Sequence, residues 1–254
     1  MFSIFYVISN LEGLRIFKHA VLVLFRNPFK VMVIALIPWL AVQMAGVFLL
    51  ALLLDIIGLA EYENSYVFDL GILAINVFVT LWIVVAWHRF ILLDELPRKF
   101  SPKWHSKTAA KYALNTLLVT ISGLPVLFAV SWYFSTSSVF LDMYQIALTP
   151  LAWLLVLFNL VLLIRLGLTL PSVAIEQHLG LRGAWRASSG KTFALVQIVI
   201  LMIICRLLFA IPGEMYPNNN YVILLELVLA GIPALIGVSV LTTMYGTWVE
   251  GREL

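Results

Sequence analysis

Residues 147–170 read ALTPLAWLLVLFNLVLLIRLGLTL, with a single charge, Arg165, near the end. A helix rises about 1.5 Å per residue, so this run reaches the roughly 30 Å needed to cross the hydrocarbon core of a bilayer. Five further hydrophobic runs of similar length lie at roughly 31–57, 67–92, 112–134, 193–212 and 221–247. The chain therefore reads as an all-α membrane protein. Six transmembrane helices are expected over residues 30–254, arranged as three hairpins, behind an N-terminal segment at 1–29.

Composition agrees with that reading. The 254 residues are 63% hydrophobic and 11% charged, and the mean hydropathy is +1.03. Soluble domains carry about 25% charged residues. This chain has too few polar groups to cover a soluble core, whereas lipid can solvate its apolar surface. The lone cysteine, Cys205, excludes a disulfide scaffold and a cysteine-based metal site. No leader pattern is expected at the N-terminus, where positive charge follows the apolar start instead of preceding it.

Charge sets the orientation. Arg15, Lys18, Arg26 and Lys30 precede the first run. Arg98, Lys99, Lys103, Lys107 and Lys111 lie between the second and third, with Arg89 at the preceding helix end. Arg182, Arg186 and Lys191 lie between the fourth and fifth, and Arg252 is near the C-terminus. The connections near 58–66, 135–146 and 213–220 hold Glu61, Glu63, Asp142 and Glu214 but no Lys or Arg. The positive-inside rule makes the basic side cytoplasmic, with both termini there. Tyr62, Tyr66, Trp132 and Tyr216 mark the outer interface, and Trp87, Trp104 and Trp248 the inner one. The net charge of +3 comes from residues flanking the spans and does not indicate nucleic-acid binding.

In the N-terminal segment Leu14, Phe17, Val21, Leu24 and Phe25 recur at helical spacing, with Glu12, Arg15, His19 and Arg26 on another face. This amphipathic helix suits the headgroup region, and Asn27-Pro28 ends it. The alternative is a helix packed on the bundle.

Arg206 in the fifth run and Glu226 in the sixth fall at similar depth on adjacent antiparallel helices, so they are expected to pair. The pair reads as a structural clamp, or alternatively as a relay. Arg165 snorkels to headgroups, or alternatively lines a cavity with Asn159, Asn76 or Gln197. Pro38, Pro125 and Pro233 kink their spans, and Ala230, Ala234, Thr242 and Gly246 form a small-residue face on the sixth.

Ser188-Ser189-Gly190-Lys191-Thr192 resembles the end of a phosphate-binding loop, but Trp185 stands where the motif needs glycine. These residues instead start the fifth helix, with Ser or Thr as cap. His19, His88, His105 and His178 read as separate interfacial histidines, without metal-ligand spacing. No cofactor or catalytic set is expected.

Leu170-Pro171-Ser172-Val173-Ala174-Ile175-Glu176 is followed by Gly180 through Gly190 with Ala184-Trp185-Arg186, and the whole looks like a recurrent bacterial pattern. It resembles a family of six-helix inner-membrane proteins similar to the membrane domain attached to some glycerophosphodiester phosphodiesterases. The resemblance implies a bacterial inner-membrane protein. No soluble phosphodiesterase domain is expected in this sequence, so that activity is not expected to carry over.

The expected function is therefore non-enzymatic: an accessory subunit of a membrane complex, or a lipid-associated factor. Arg15, Lys18, Arg98, Lys99, Lys103, Lys107, Arg182 and Arg186 would meet anionic lipid headgroups or another membrane protein. The alternative is a small transporter or channel with a polar site near Arg165, Arg206 and Glu226.

Overall fold

The computed structural model describes residues 11–56, 66–97, 101–137, 142–216 and 220–254. All regular elements among the described residues are helical. They are α1 (Glu12–Arg26), α2 (Pro28–Val31), a π-helical turn (Met32–Leu36), α3 (Ile37–Ile56), α4 (Tyr66–Leu93), α5 (Ser106–Ser137), α6 (Asp142–Gly167), α7 (Thr169–Ala174), α8 (Gly180–Ala187), α9 (Thr192–Met215) and α10 (Asn220–Trp248).

Among the described residues, five stretches are long and apolar enough to cross a membrane: Pro28–Gly46, Leu70–Leu93, Ser106–Tyr133, Pro150–Ala174 and Thr192–Met215. This is the pattern of a multi-pass membrane protein. The sixth expected run falls within α10, and several side chains in its first three turns lie outside the described residues. The third stretch begins before the hydrophobic run at 112, because the helix continues as an amphipathic turn. There Thr108, Ala109 and Tyr112 are buried while Lys107, Ala110 and Lys111 stay exposed.

The chain breaks after α1 where the sequence indicates. Asn27 leaves helical geometry, and Pro28 opens α2 at a position where its missing N–H removes no helical bond. A second irregularity follows. The Ile37 N–H reaches back five residues to Met32 O, which widens the turn. Pro38 accounts for it: the ring has no N–H to donate and crowds the carbonyl four residues earlier. The widened turn borders an apolar groove of about 380 Å³, lined by Ala35, Trp39, Ile83, Gly231 and Ala234 among others. The small-residue face of α10 is thus divided. Ala234 opens on the groove, Thr242 and Gly246 are buried, and the Ala230 side chain lies outside the described residues.

α1 packs against α9 and α10. Its buried stripe is Gly13, Ile16, Ala20 and Leu24, at helical spacing. The apolar face expected from the sequence is split by this contact. Leu24 is buried, Phe17 and Val21 are half-buried, and Leu14 and Phe25 remain exposed at 44% and 76%. Polar contacts pin the helix along its length. The Glu12 carboxylate takes both oxygens to Lys191 Nζ at 2.8 and 2.9 Å and accepts from Trp248 Nε1 at 2.9 Å. The Gly13 N–H donates to Gln197 Oε1 at 3.1 Å, and Ser239 Oγ to Ala20 O at 3.0 Å. Within a membrane protein, close approach and hydrogen bonds hold helices together, because lipid removes most of the hydrophobic drive between them.

Gly13 is the closest of these approaches. A Cβ there would lie 2.4 Å from Ala194 O and 2.8 Å from Gln197 Cβ. Gly13→Ala should therefore push α1 off α9 and lower stability by about 1–3 kcal/mol, as overpacking does. An unfolding titration in detergent checks this. A variant as stable as the parent would mean that α1 has room to shift.

Candidate functional site at the basic end

Apolar spans leave few places for charge, and the structure gathers several ionisable groups at one end of α4. Arg89, near the end of that helix, donates through Nε to Glu95 Oε2 at 2.6 Å. Its Nη1 donates to Ala174 O at 3.0 Å and to Glu176 Oε1 at 3.3 Å. Glu95 in turn accepts from His105 Nε2 at 3.0 Å and lies 3.5 Å from Lys103 Nζ. The connection between α4 and α5 is thereby closed on itself, with both ends tied to one carboxylate. A cavity of about 10 Å³ lies beside the cluster, lined in part by Ile34, Arg89, Glu95 and His105. Burial alone would raise the Glu95 carboxyl. The hydrogen bonds and charges of Arg89 and His105 outweigh it and hold the group below its ordinary value.

Glu176 reaches the cluster from an unusual backbone position. α7 ends in a Schellman turn: Gln177 N–H bonds Ser172 O and Glu176 N–H bonds Val173 O. Glu176 occupies the left-handed residue of that turn, with φ of 63°. Glycine is usual there, and a residue with a Cβ costs about 1–2 kcal/mol. The carboxylate meets Arg89 and accepts from Thr108 Oγ1 at 3.1 Å. Its side chain is 63% exposed, so the ion pair offsets at most about 1 kcal/mol of that strain.

At the residue just before Arg89, three helices share a hydrogen-bonded chain around His88, which is fully buried. The Thr242 hydroxyl donates to Val238 O at 2.8 Å. Its oxygen therefore accepts from His88 Nδ1–H at 2.7 Å. That leaves His88 Nε2 to accept from the Tyr112 hydroxyl at 3.2 Å. Each group is satisfied with His88 neutral. The expectation that His88 sits separately at the interface is corrected here: it joins α4 to α5 and α10. His105 is likewise drawn into the Glu95 cluster.

Except for Lys103, the described basic residues singled out from the sequence stand apart from these networks. Arg15, Lys18, Lys107, Arg182 and Arg186 are exposed and make no ion pair with a described residue; Lys103 is exposed and pairs with Glu95. Arg98 and Lys99 lie outside the described residues. The carboxylates nearby are mostly taken: Glu12 by Lys191, Glu95 and Glu176 by Arg89, and Glu250 by Arg252. Asp94 and Glu253 remain exposed. Burial, and then the nearby Arg26 charge, lower the His19 pKa from its ordinary value.

Arg165 is 9% exposed. Its Nη2 donates to Thr192 Oγ1 at 2.8 Å, and its guanidinium carbon lies 4.5 Å from the Trp185 ring centroid. Arg206 is exposed on α9, and the Glu226 side chain expected to pair with it lies outside the described residues. Among the described residues no group of three or more His, Cys, Asp or Glu side chains is placed to hold a metal ion. No protein-family model, curated protein or solved structure matches this chain.

Glu95 and Glu176 separate two magnitudes. Glu95→Gln removes the partner of a largely buried arginine and should lower stability by about 3 kcal/mol. Glu176→Gly relieves the left-handed strain but loses the exposed Arg89 contact and the part-buried Thr108 bond, so it should change stability by no more than about 1 kcal/mol. Detergent unfolding of both variants tests the contrast; equal losses would refute it. The lowered Glu95 pKa also fixes a pH dependence. Its stabilisation is complete above the ordinary value of 4.5 and is lost as pH falls through the lower folded value. The parent should lose stability on acidification below 4.5 more steeply than Glu95→Gln; parallel curves would count against the assignment.

Proposed function

We propose that this chain is a non-catalytic inner-membrane protein whose basic end gathers anionic lipid headgroups. In this reading α3, α4, α5, α6, α9 and α10 span the membrane as three hairpins, with both termini on the cytoplasmic side. Charge asymmetry supports the orientation, because the connections near 58–66, 135–146 and 213–220 hold no Lys or Arg. The length of α10, 29 residues, supports its assignment as the sixth span.

The observation that carries the function is the distribution of partners. Most carboxylates at the basic end are bound internally, while Arg15, Lys18, Lys107, Arg182 and Arg186 are exposed without a described ion pair. Their charge is available to something outside the chain. The apolar side chains interleaved with them suit a headgroup surface: Leu14 on α1, and Leu181 and Trp185 on α8, are exposed. Each basic residue near an anionic surface contributes about 1 kcal/mol.

Replacing Arg15, Lys18, Lys107, Arg182 and Arg186 by Gln should reduce enrichment of phosphatidylglycerol around the purified protein at least tenfold, a loss of about 1.4 kcal/mol or more. Lipid analysis after mild-detergent purification, with helicity as the folding check, reads the effect. High salt should weaken the parent's enrichment in the same direction. Unchanged lipid together with loss of a co-purifying acidic protein would transfer these residues to a partner subunit.

A further inference from the structure

Arg165 differs from the other described cations at the basic end in being nine-tenths buried without a carboxylate. Thr192 Oγ1 takes its Nη2, and its Nε–H is buried with no acceptor. Trp185 covers one face of the guanidinium. Glu12, the carboxylate that binds the N-cap residue Lys191, is already held by that lysine and by Trp248. Burying an arginine without a counter-charge is expensive.

The residue it touches, Thr192, opens α9. That helix has 24 residues, no acidic residue in its first turn and no side-chain cap. The positive end of its dipole therefore lies at the residue that the guanidinium touches. Both signals call for an anion with several acceptor oxygens. The planar guanidinium fork fits a phosphate in particular.

We propose that Arg165, Trp185 and the uncapped first turn of α9 bind the phosphate of a membrane lipid headgroup. Position supplies the lipid half of this assignment. Arg165 lies within the span Pro150–Ala174, and Thr192 is the first residue of the span Thr192–Met215. Trp185 is half-exposed beside them, an amphipathic ring suited to the headgroup level. The inference rests on the reading that this end faces anionic lipid, and adds one defined phosphate position to a diffuse basic surface.

Native mass spectrometry of the full chain, titrated with phosphatidylglycerol in detergent, tests it. The parent should keep one lipid under conditions that strip the rest. Arg165→Gln should weaken that lipid tenfold or more, on the scale of charge-assisted hydrogen bonds. Trp185→Leu, at a half-exposed position, should weaken it severalfold while keeping the charge. Arg182→Gln combined with Arg186→Gln should spare that lipid and reduce only the loosely bound ones. Full retention by folded Arg165→Gln overturns the site and leaves the broader lipid reading standing. If Arg165→Gln does not fold, full retention by both Trp185→Leu and Thr192→Val overturns it. Loss of the lipid in Arg165→Gln, with loose enrichment indifferent to Arg182 and Arg186, supports the site and removes the broader reading. Displacement of the lipid by millimolar inorganic phosphate assigns the site to a soluble anion and overturns the lipid assignment.

Discussion

A bilayer interior offers no hydrogen bonds to a polar group, so every charge or donor that enters it must find its partner in the chain or at the headgroup edge. The basic end of this protein is organised by that constraint. Arg89 satisfies it with Glu95, Glu176 and the Ala174 carbonyl. His88 satisfies it through Thr242 and Tyr112. Because Glu95 also binds His105, and Glu176 binds Thr108, the same contacts position the start of α5. Internal neutralisation and the shape of the elbow are one arrangement.

The same scarcity explains α1. Packed in water, its apolar stripe would suffice to hold it on the bundle. Beside lipid, that stripe has little preference for protein over acyl chains. Hydrogen bonds from Gly13 and to Ala20, and the Glu12 contacts with Lys191 and Trp248, supply the preference. They need Gly13, since the α9 backbone passes where a Cβ would stand. Phe25 and Leu14 remain outside this contact.

Sequence reading reached the features that depend on local pattern and missed those that depend on who meets whom. Helical class, the break at Asn27-Pro28 and the start of α9 near Lys191 follow from hydropathy and proline chemistry. Capping by Ser or Thr at α9 did not materialise, because Lys191 holds the cap position and Ser188 turns its hydroxyl back to Ala184 O. The Arg89 cluster was invisible: its partners lie 6 and 87 residues away, and spacing alone cannot bring Glu95 and Glu176 together. The sequence places His88 at the interface because it lies near the inner end of the second hydrophobic run, beside Arg89. Its burial comes from α5 and α10, which pass over it in space. A glutamate two residues past α7, where helices favour glycine, is the one local clue to the site.

Arg89 and Arg165 then show two solutions to one problem. Both are largely buried arginines near the basic ends of their helices. Arg89 is surrounded by acceptors from its own chain, so it has no need of a ligand and serves the fold. Arg165 has a hydroxyl, an aromatic face and a helix start, which orient a guanidinium without neutralising it. Hydrogen bonds fix direction, and only an opposite charge removes the electrostatic penalty. A fold that can supply carboxylates to one arginine and leaves the other aligned but uncompensated places its demand for an anion at the second, at the edge where lipid phosphates lie.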